Sequence, residues 1–139
     1  MIDFHFETNF SLKELTQYSD WITRIIESEG RETGKVDYIF CSDDYLLEMN
    51  QRYLNHDTFT DIVTFDYSEE KLISGDIFIS IDRVKDNAVS FNVDCQEELL
   101  RVMSHGVLHL IGYKDKGEDE IKLMRKKENE KIKLFHVEP

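Results

Sequence analysis

His105 and His109 stand four residues apart, and on a helix that spacing projects both imidazoles from one side, close enough to share one ion. Gly112 follows, a residue free to adopt the positive φ that ends a helix and folds the chain back. The returning segment carries Asp115. Two His nitrogens and one carboxylate oxygen make a three-ligand site with a fourth position open to water, the arrangement with which zinc hydrolases generate a nucleophile near neutral pH. The competing reading is a pair of hydrogen-bonded core histidines; the joint occurrence of the pair, the glycine and the carboxylate favours the metal. Position 106, where a zinc peptidase carries its Glu general base, is Gly, so that mechanism lacks its proton carrier. Close packing of another element against the helix is the expected role of Gly106.

The helix that must position this pair is legible from its neighbours. Leu99, Leu100, Val102, Met103, Val107, Leu108, Leu110 and Ile111 leave a helix over 97–111 almost no polar face, which places it in the middle of a domain. Asp94 with Glu97 predicts its capping box, as Ser11 with Glu14 predicts one for an amphipathic helix that runs to Gly30. Alternation predicts strands over 2–6, 36–40, 61–67 and 75–81, with His5 on a polar side. A short helix over 43–55, one capped by Asp82 and running through Ser90, and a charged final helix over 118–134 complete the order. The expectation is a single α+β domain over 1–139, a small mixed sheet of about four strands packed with helices around a central metal-bearing helix, zincin-like.

The 139 residues suit one domain. Cys41 and Cys95 lie in no CxxC or CxH spacing, which excludes a zinc knuckle or thioredoxin-like motif, and both read as buried apolar residues. No apolar run is long enough for a membrane span, and MIDFHFETNF carries acidic residues where a signal peptide carries basic ones, so a cytoplasmic protein without membrane partners is expected. The net charge of −12 argues against coating nucleic acid by bulk electrostatics. The segment 114–133 is nonetheless basic by two charges, read as a solvated helix face with i,i+4 ion pairs, or as a local grip on a polyanion.

HGVLHLIGYKD resembles the HGxLHLxGYDH signature of the YbeY family of rRNA-maturation endoribonucleases. Residues 50–65, NQRYLNHDTFTDIVTF, are similar to its LNxxYRxxDxPTDVLSF segment, and Gly75-Asp76-Ile77 to its GDI strand. The resemblance covers most of the chain, from about the first strand to about Lys126. It implies a metal site at His105, His109 and Asp115 that holds one divalent ion, zinc in the family's usual assignment. It also implies cleavage of single-stranded 16S rRNA precursor in 3′-end maturation and ribosome quality control.

Two departures stand out. Asp115 replaces the family's third His, which costs the site one positive charge, and Leu54 replaces an Arg that could clamp phosphate. Arg52, His56 and Lys114 are the candidates to take over that catalytic role. Asp57, Thr60, Asp61 and Asp76 have turn or strand-start roles as readily as chemical ones, structure being favoured for Thr60 and Asp76, and Ser104 beside His105 has the same two readings; a carboxylate that partners a metal-bound His must reach the ring's other nitrogen. An acidic chain should bind free RNA weakly, so proteins of the small ribosomal subunit or an assembly GTPase are expected to deliver the substrate. The alternative, favoured by Leu54 and Gly106, is a non-catalytic ribosome-assembly factor with a structural metal.

Overall fold

A computed structural model describes residues 1–54 and 60–136. The order is β1 (Ile2–Phe6), α1 (Leu15–Ser28), β2 (Glu32–Cys41), α2 (Asp43–Leu54), β3 (Ile62–Asp66), β4 (Leu72–Ser80), α3 (Ile81–Phe91), α4 (Cys95–Ile111) and α5 (Glu118–Phe135). The four strands form one mixed sheet in the order β1-β2-β4-β3, parallel except for the antiparallel β3-β4 pair. The expected α+β domain is therefore observed.

Alternation on β2 divides the interior. Val36, Tyr38 and Phe40 face the larger core with Trp21, Ile22 and Ile25 of α1 and Met103, Val107 and Leu108 of α4. Ile39 and Cys41 face a smaller core with Leu46 of α2, Val63 and Phe78. Helix α4 runs against β3, β4, α1, α3 and α5, and the Tyr38 hydroxyl donates to the Met103 carbonyl at 2.8 Å, which fixes the helix on the sheet.

Gly106 lets α4 lie this close. A Cβ there would sit 2.8 Å from Ile77 Cγ2 and 2.9 Å from Ile62 Cδ1. Position 106 thus faces the sheet, where a general base would have no substrate. Gly106→Ala is expected to cost about 1–3 kcal/mol through overpacking and to lower the melting temperature by about 5 °C or more. A thermal melt that matches the wild type would refute this close-packing role.

Helix starts differ from the sequence expectation. Phe10 and Leu12 pack against the core, which holds Ser11 outside the helix. Glu14, at φ 55°, is the residue before α1, and no side chain caps it. Helix α3 is capped by Ser80, whose hydroxyl accepts from the Arg83 N–H; Asp82 instead accepts from the Asp43 N–H at 2.8 Å and so joins α2 to α3. At α4 the Asp94 carbonyl, not its carboxylate, takes the Glu98 N–H. Cys41 is buried as expected, but Cys95 is exposed, because it opens α4 at the surface end.

Candidate metal centre

Rows of apolar residues bury α4 on nearly every side, and the face that escapes carries Arg101, His105 and His109 at successive i,i+4 positions. The helix ends at Gly112, φ 123°, a conformation L side chains rarely adopt. The Gly112 and Tyr113 N–H groups close the last turn on the Leu108 carbonyl. The chain then reverses, and Asp115 Oδ2 comes to 3.0 Å from His105 Nε2 and 3.3 Å from His109 Nε2.

The outer nitrogen of each ring is committed. His109 Nδ1 lies 3.0 Å from the Tyr113 carbonyl, which only accepts, so Nδ1 carries the proton. His105 Nδ1 donates to the Glu128 carboxylate at 2.6 Å. Neutral rings held this way turn bare Nε2 lone pairs toward each other at 2.9 Å, with an anionic oxygen beside both. Three electron-pair donors so placed repel unless a cation or a proton lies between them. Zinc bonds of about 2.0–2.1 Å in a tetrahedral shell set ligand atoms about 3.3 Å apart. The donor set and its spacing therefore fit a divalent ion, and the three residues form the only such group among the described residues. Without an ion, burial works against a proton on His105, but the Glu128 hydrogen bond and the charges of Glu128, Asp115 and Asp61 prevail and raise its pKa above the ordinary histidine value.

Glu128 is the partner that orients His105. It comes from α5, is 4% exposed, and is held in turn by Arg101 Nη1 at 3.0 Å. Asp61 lies in the same neighbourhood, and burial raises its carboxyl pKa. Its described bond is through its carbonyl, which accepts the Ser80 N–H. The Ser104 hydroxyl bonds back to the Arg101 carbonyl, and Thr60 Oγ1 to the Ile62 carbonyl; both roles are structural.

A cleft of about 390 Å³ opens beside His105 and Asp115, between α3, α4 and α5. Its cations are Arg101 and Arg125, neither of which the sequence reading singled out. Arg101 carried a signal, since it lies one turn before His105 on the exposed face. Ile62, Val102, Ile121 and Met124 supply the apolar wall. Arg52 is exposed on α2, pairs with Glu48 at 3.1 Å and does not line this cleft. Lys114 is exposed beside Asp115 and does not line it either. His56 and Asp57 lie outside the described residues.

The turn after Gly112 is anchored from below. The Tyr113 hydroxyl donates to Glu29 at 2.5 Å, and Lys131, 1% exposed, donates to the other Glu29 oxygen at 2.7 Å. Burial would raise the Glu29 pKa, but hydrogen bonds from Lys131, Tyr113 and Lys127 overcome it and hold the carboxyl at about 2. A carboxylate with a depressed folded pKa stabilises above its unfolded value of about 4.3, and that stability is lost as pH falls toward about 2. Glu29→Gln should remove up to about 3 kcal/mol at neutral pH and flatten the stability profile between those pH values. Chemical denaturation at a series of pH values tests it; parallel wild-type and variant curves would contradict the assignment.

Comparison with known proteins follows the same lines. The model of the family described as Endoribonuclease YbeY matches residues 3–136. A protein of Flavobacterium johnsoniae named Endoribonuclease YbeY is 54% identical over 138 residues, 99% of each chain. One of the same name from Flavobacterium psychrophilum is 56% identical over 137 residues, 99% of this chain and 98% of the relative. Among solved structures, the solution structure of TM1509 from Thermotoga maritima superposes with a TM-score of 0.72 at 30% identity, over 97% of this chain and 89% of that one.

Proposed function

The chain belongs to the YbeY family of endoribonucleases, and from that premise we propose that it is a metal-dependent, single-strand-specific endoribonuclease of the cytoplasm. Its substrate is the single-stranded 16S rRNA precursor, cleaved in 3′-end maturation and ribosome quality control. It meets that substrate on the small ribosomal subunit, with subunit proteins or an assembly GTPase as the delivering partners. In the described residues no helix is long and apolar enough to cross a membrane.

One observation carries the catalytic reading over the structural-metal alternative. Among the described residues the site offers three ligand atoms rather than four, and it adjoins an open cleft, which is the pattern of a catalytic rather than a closed structural centre. His105, His109 and Asp115 would hold one divalent ion, and the nitrogen and carboxylate donors suit zinc. Bound there, such an ion would supply Lewis acidity toward a phosphoryl oxygen and would activate a water.

The chain's own groups do the rest. Glu128 and the Tyr113 carbonyl keep protons on the Nδ1 atoms, so both Nε2 atoms stay free to bind. Arg101, pinned by Glu128 and by Asn129 at 2.9 Å, presents fixed positive charge to the cleft. The wall of Ile62, Val102 and Met124 limits water around the reacting phosphate.

The test is elemental analysis followed by cleavage of a single-stranded RNA by native, metal-stripped and zinc-restored protein. About one equivalent of metal, loss of cleavage on stripping and its return with zinc are expected. Bound metal with no cleavage, in an assay that includes ribosomal subunits, would transfer the assignment to a non-catalytic assembly factor.

A further inference from the structure

A protein with a net charge of −12 must hold its polyanionic substrate somewhere specific, and α5 carries the charge to do it. Lys122, Arg125, Lys126, Asn129 and Lys133 recur at i, i+3, i+4, i+7 and i+11, so they form one stripe along the helix. The same residues, with Glu130, line a shallow groove. Arg125 belongs both to this groove and to the cleft that contains His105 and Asp115. With Arg101 it also lines a smaller pocket of about 230 Å³, which Glu97 and Glu98 share. Arg125 is thus the residue through which the groove meets the cleft beside the metal centre.

The lysines of the stripe are unspent. Lys122, Lys126 and Lys133 are exposed, and among the described residues none has an ion pair or a side-chain hydrogen bond. Arg125 is 58% exposed and has only a 3.7 Å contact to Glu128. The opposite side of α5 behaves differently: Lys127 and Lys131 are consumed by Glu29. The one acid in the groove, Glu130, is neutralised by the same two lysines, at 3.8 and 3.3 Å. What sets these cations apart is their alignment on one face and the meeting of that face with the cleft at Arg125.

We propose that this stripe is the track along which the single-stranded RNA backbone leaves the metal cleft, with Arg125 gripping the first phosphate beyond the reacting one. The proposal rests on the endoribonuclease reading. The first turn of α5 carries Glu118, Asp119 and Glu120, so the strand runs from Arg125 toward Lys133, away from that acidic end. From Arg125 to Lys133 the helix rises about 12 Å, room for two or three phosphates, with Lys122 flanking the start. Contacts of this kind position a strand without reading its sequence, and Arg125 offers the phosphate grip that Leu54 cannot.

The experiment measures binding apart from cleavage. Metal-stripped full-length protein is titrated with a fluorescent single-stranded oligoribonucleotide over a salt series, for the wild type, Arg125→Gln, Arg125→Lys and the combined Lys122→Gln, Arg125→Gln, Lys126→Gln, Lys133→Gln variant. Glutamine keeps helix propensity, and matching circular dichroism confirms the fold. Each lost phosphate contact should make the log-log salt slope shallower by about 0.7, so the combined variant should lose about 2 to 3 units. Arg125→Gln should lose about 0.7 and raise KM for cleavage with kcat little changed, Arg125→Lys should recover the slope, and Lys71→Gln, outside the stripe, should behave as wild type. A wild type that binds and cleaves RNA with a slope the combined variant retains overturns the track and leaves the nuclease reading standing. A wild type that cleaves no RNA, in an assay that includes ribosomal subunits, overturns both. A stripe whose removal weakens binding to an acidic protein or to anionic vesicles but not to RNA overturns the choice of partner.

Discussion

Asp115→Ala is expected to lose its divalent ion and its RNA cleavage together while it remains folded. The carboxylate is one of three donors and approaches both Nε2 atoms, so two imidazoles alone must hold the ion after its removal. Loss of an outer partner already costs about 10- to 100-fold in affinity, and loss of a direct ligand should exceed that. The fold should survive, because Asp115 is a third exposed and lies on a turn outside both cores. Asp115→His separates ligation from charge. It restores a nitrogen donor, the type the resemblance places there, and should recover metal and activity with the site one unit more positive. Metal analysis and a cleavage assay on the same samples decide it. An Asp115→Ala protein that keeps a full equivalent of ion would remove Asp115 from the site.

Glu128 should give the second largest effect, and on two readouts. Glu128→Ala frees His105 Nδ1 to rotate and strips the buried end of Arg101 of its carboxylate. Breaking a buried charge pair by deleting one partner costs about 3–5 kcal/mol, and the lost orientation of the ring should weaken the ion about 10- to 100-fold. Glu128→Gln retains an acceptor for His105 but sets an amide against Arg101. It should keep most of the metal affinity and lose most of the stability. Competition with a chelating dye and thermal melts of the stripped proteins resolve the two effects. Equal metal affinity in wild type and Glu128→Ala would reduce Glu128 to a packing role.

The sequence was most informative where the site is local. The histidine pair, the glycine and the aspartate fall within 105–115, and helical periodicity with one positive-φ residue suffices to bring them together. Gly106 was legible as a packing residue because a missing side chain on a helix buried all round has few other uses. Helix starts were not legible: Ser11 with Glu14 has the capping pattern, yet Phe10 and Leu12 hold the chain elsewhere. Nor was the environment of the site. A Glu and a Lys in a highly charged helix look the same whether solvated or buried, and only the packing of α5 shows that Glu128 and Lys131 are interior while Lys122 and Lys126 are not. Arg52 and Lys114 were chosen as phosphate ligands by nearness in sequence, whereas the cleft takes its cations from α4 and α5.

The compactness of the ligand set along the chain has a bearing on how the protein acquires its ion. Helical periodicity and one turn bring the stretch from His105 to Asp115 together without help from an ion, and an ion bound there would stabilise the folded state by its own binding free energy. The sheet, α4 and the reversal that Glu29 anchors should therefore assemble first, and metallation should follow as a late, local event. In that order the apoprotein is a native reservoir awaiting its metal, and the ion can be exchanged at the turn without reopening either core.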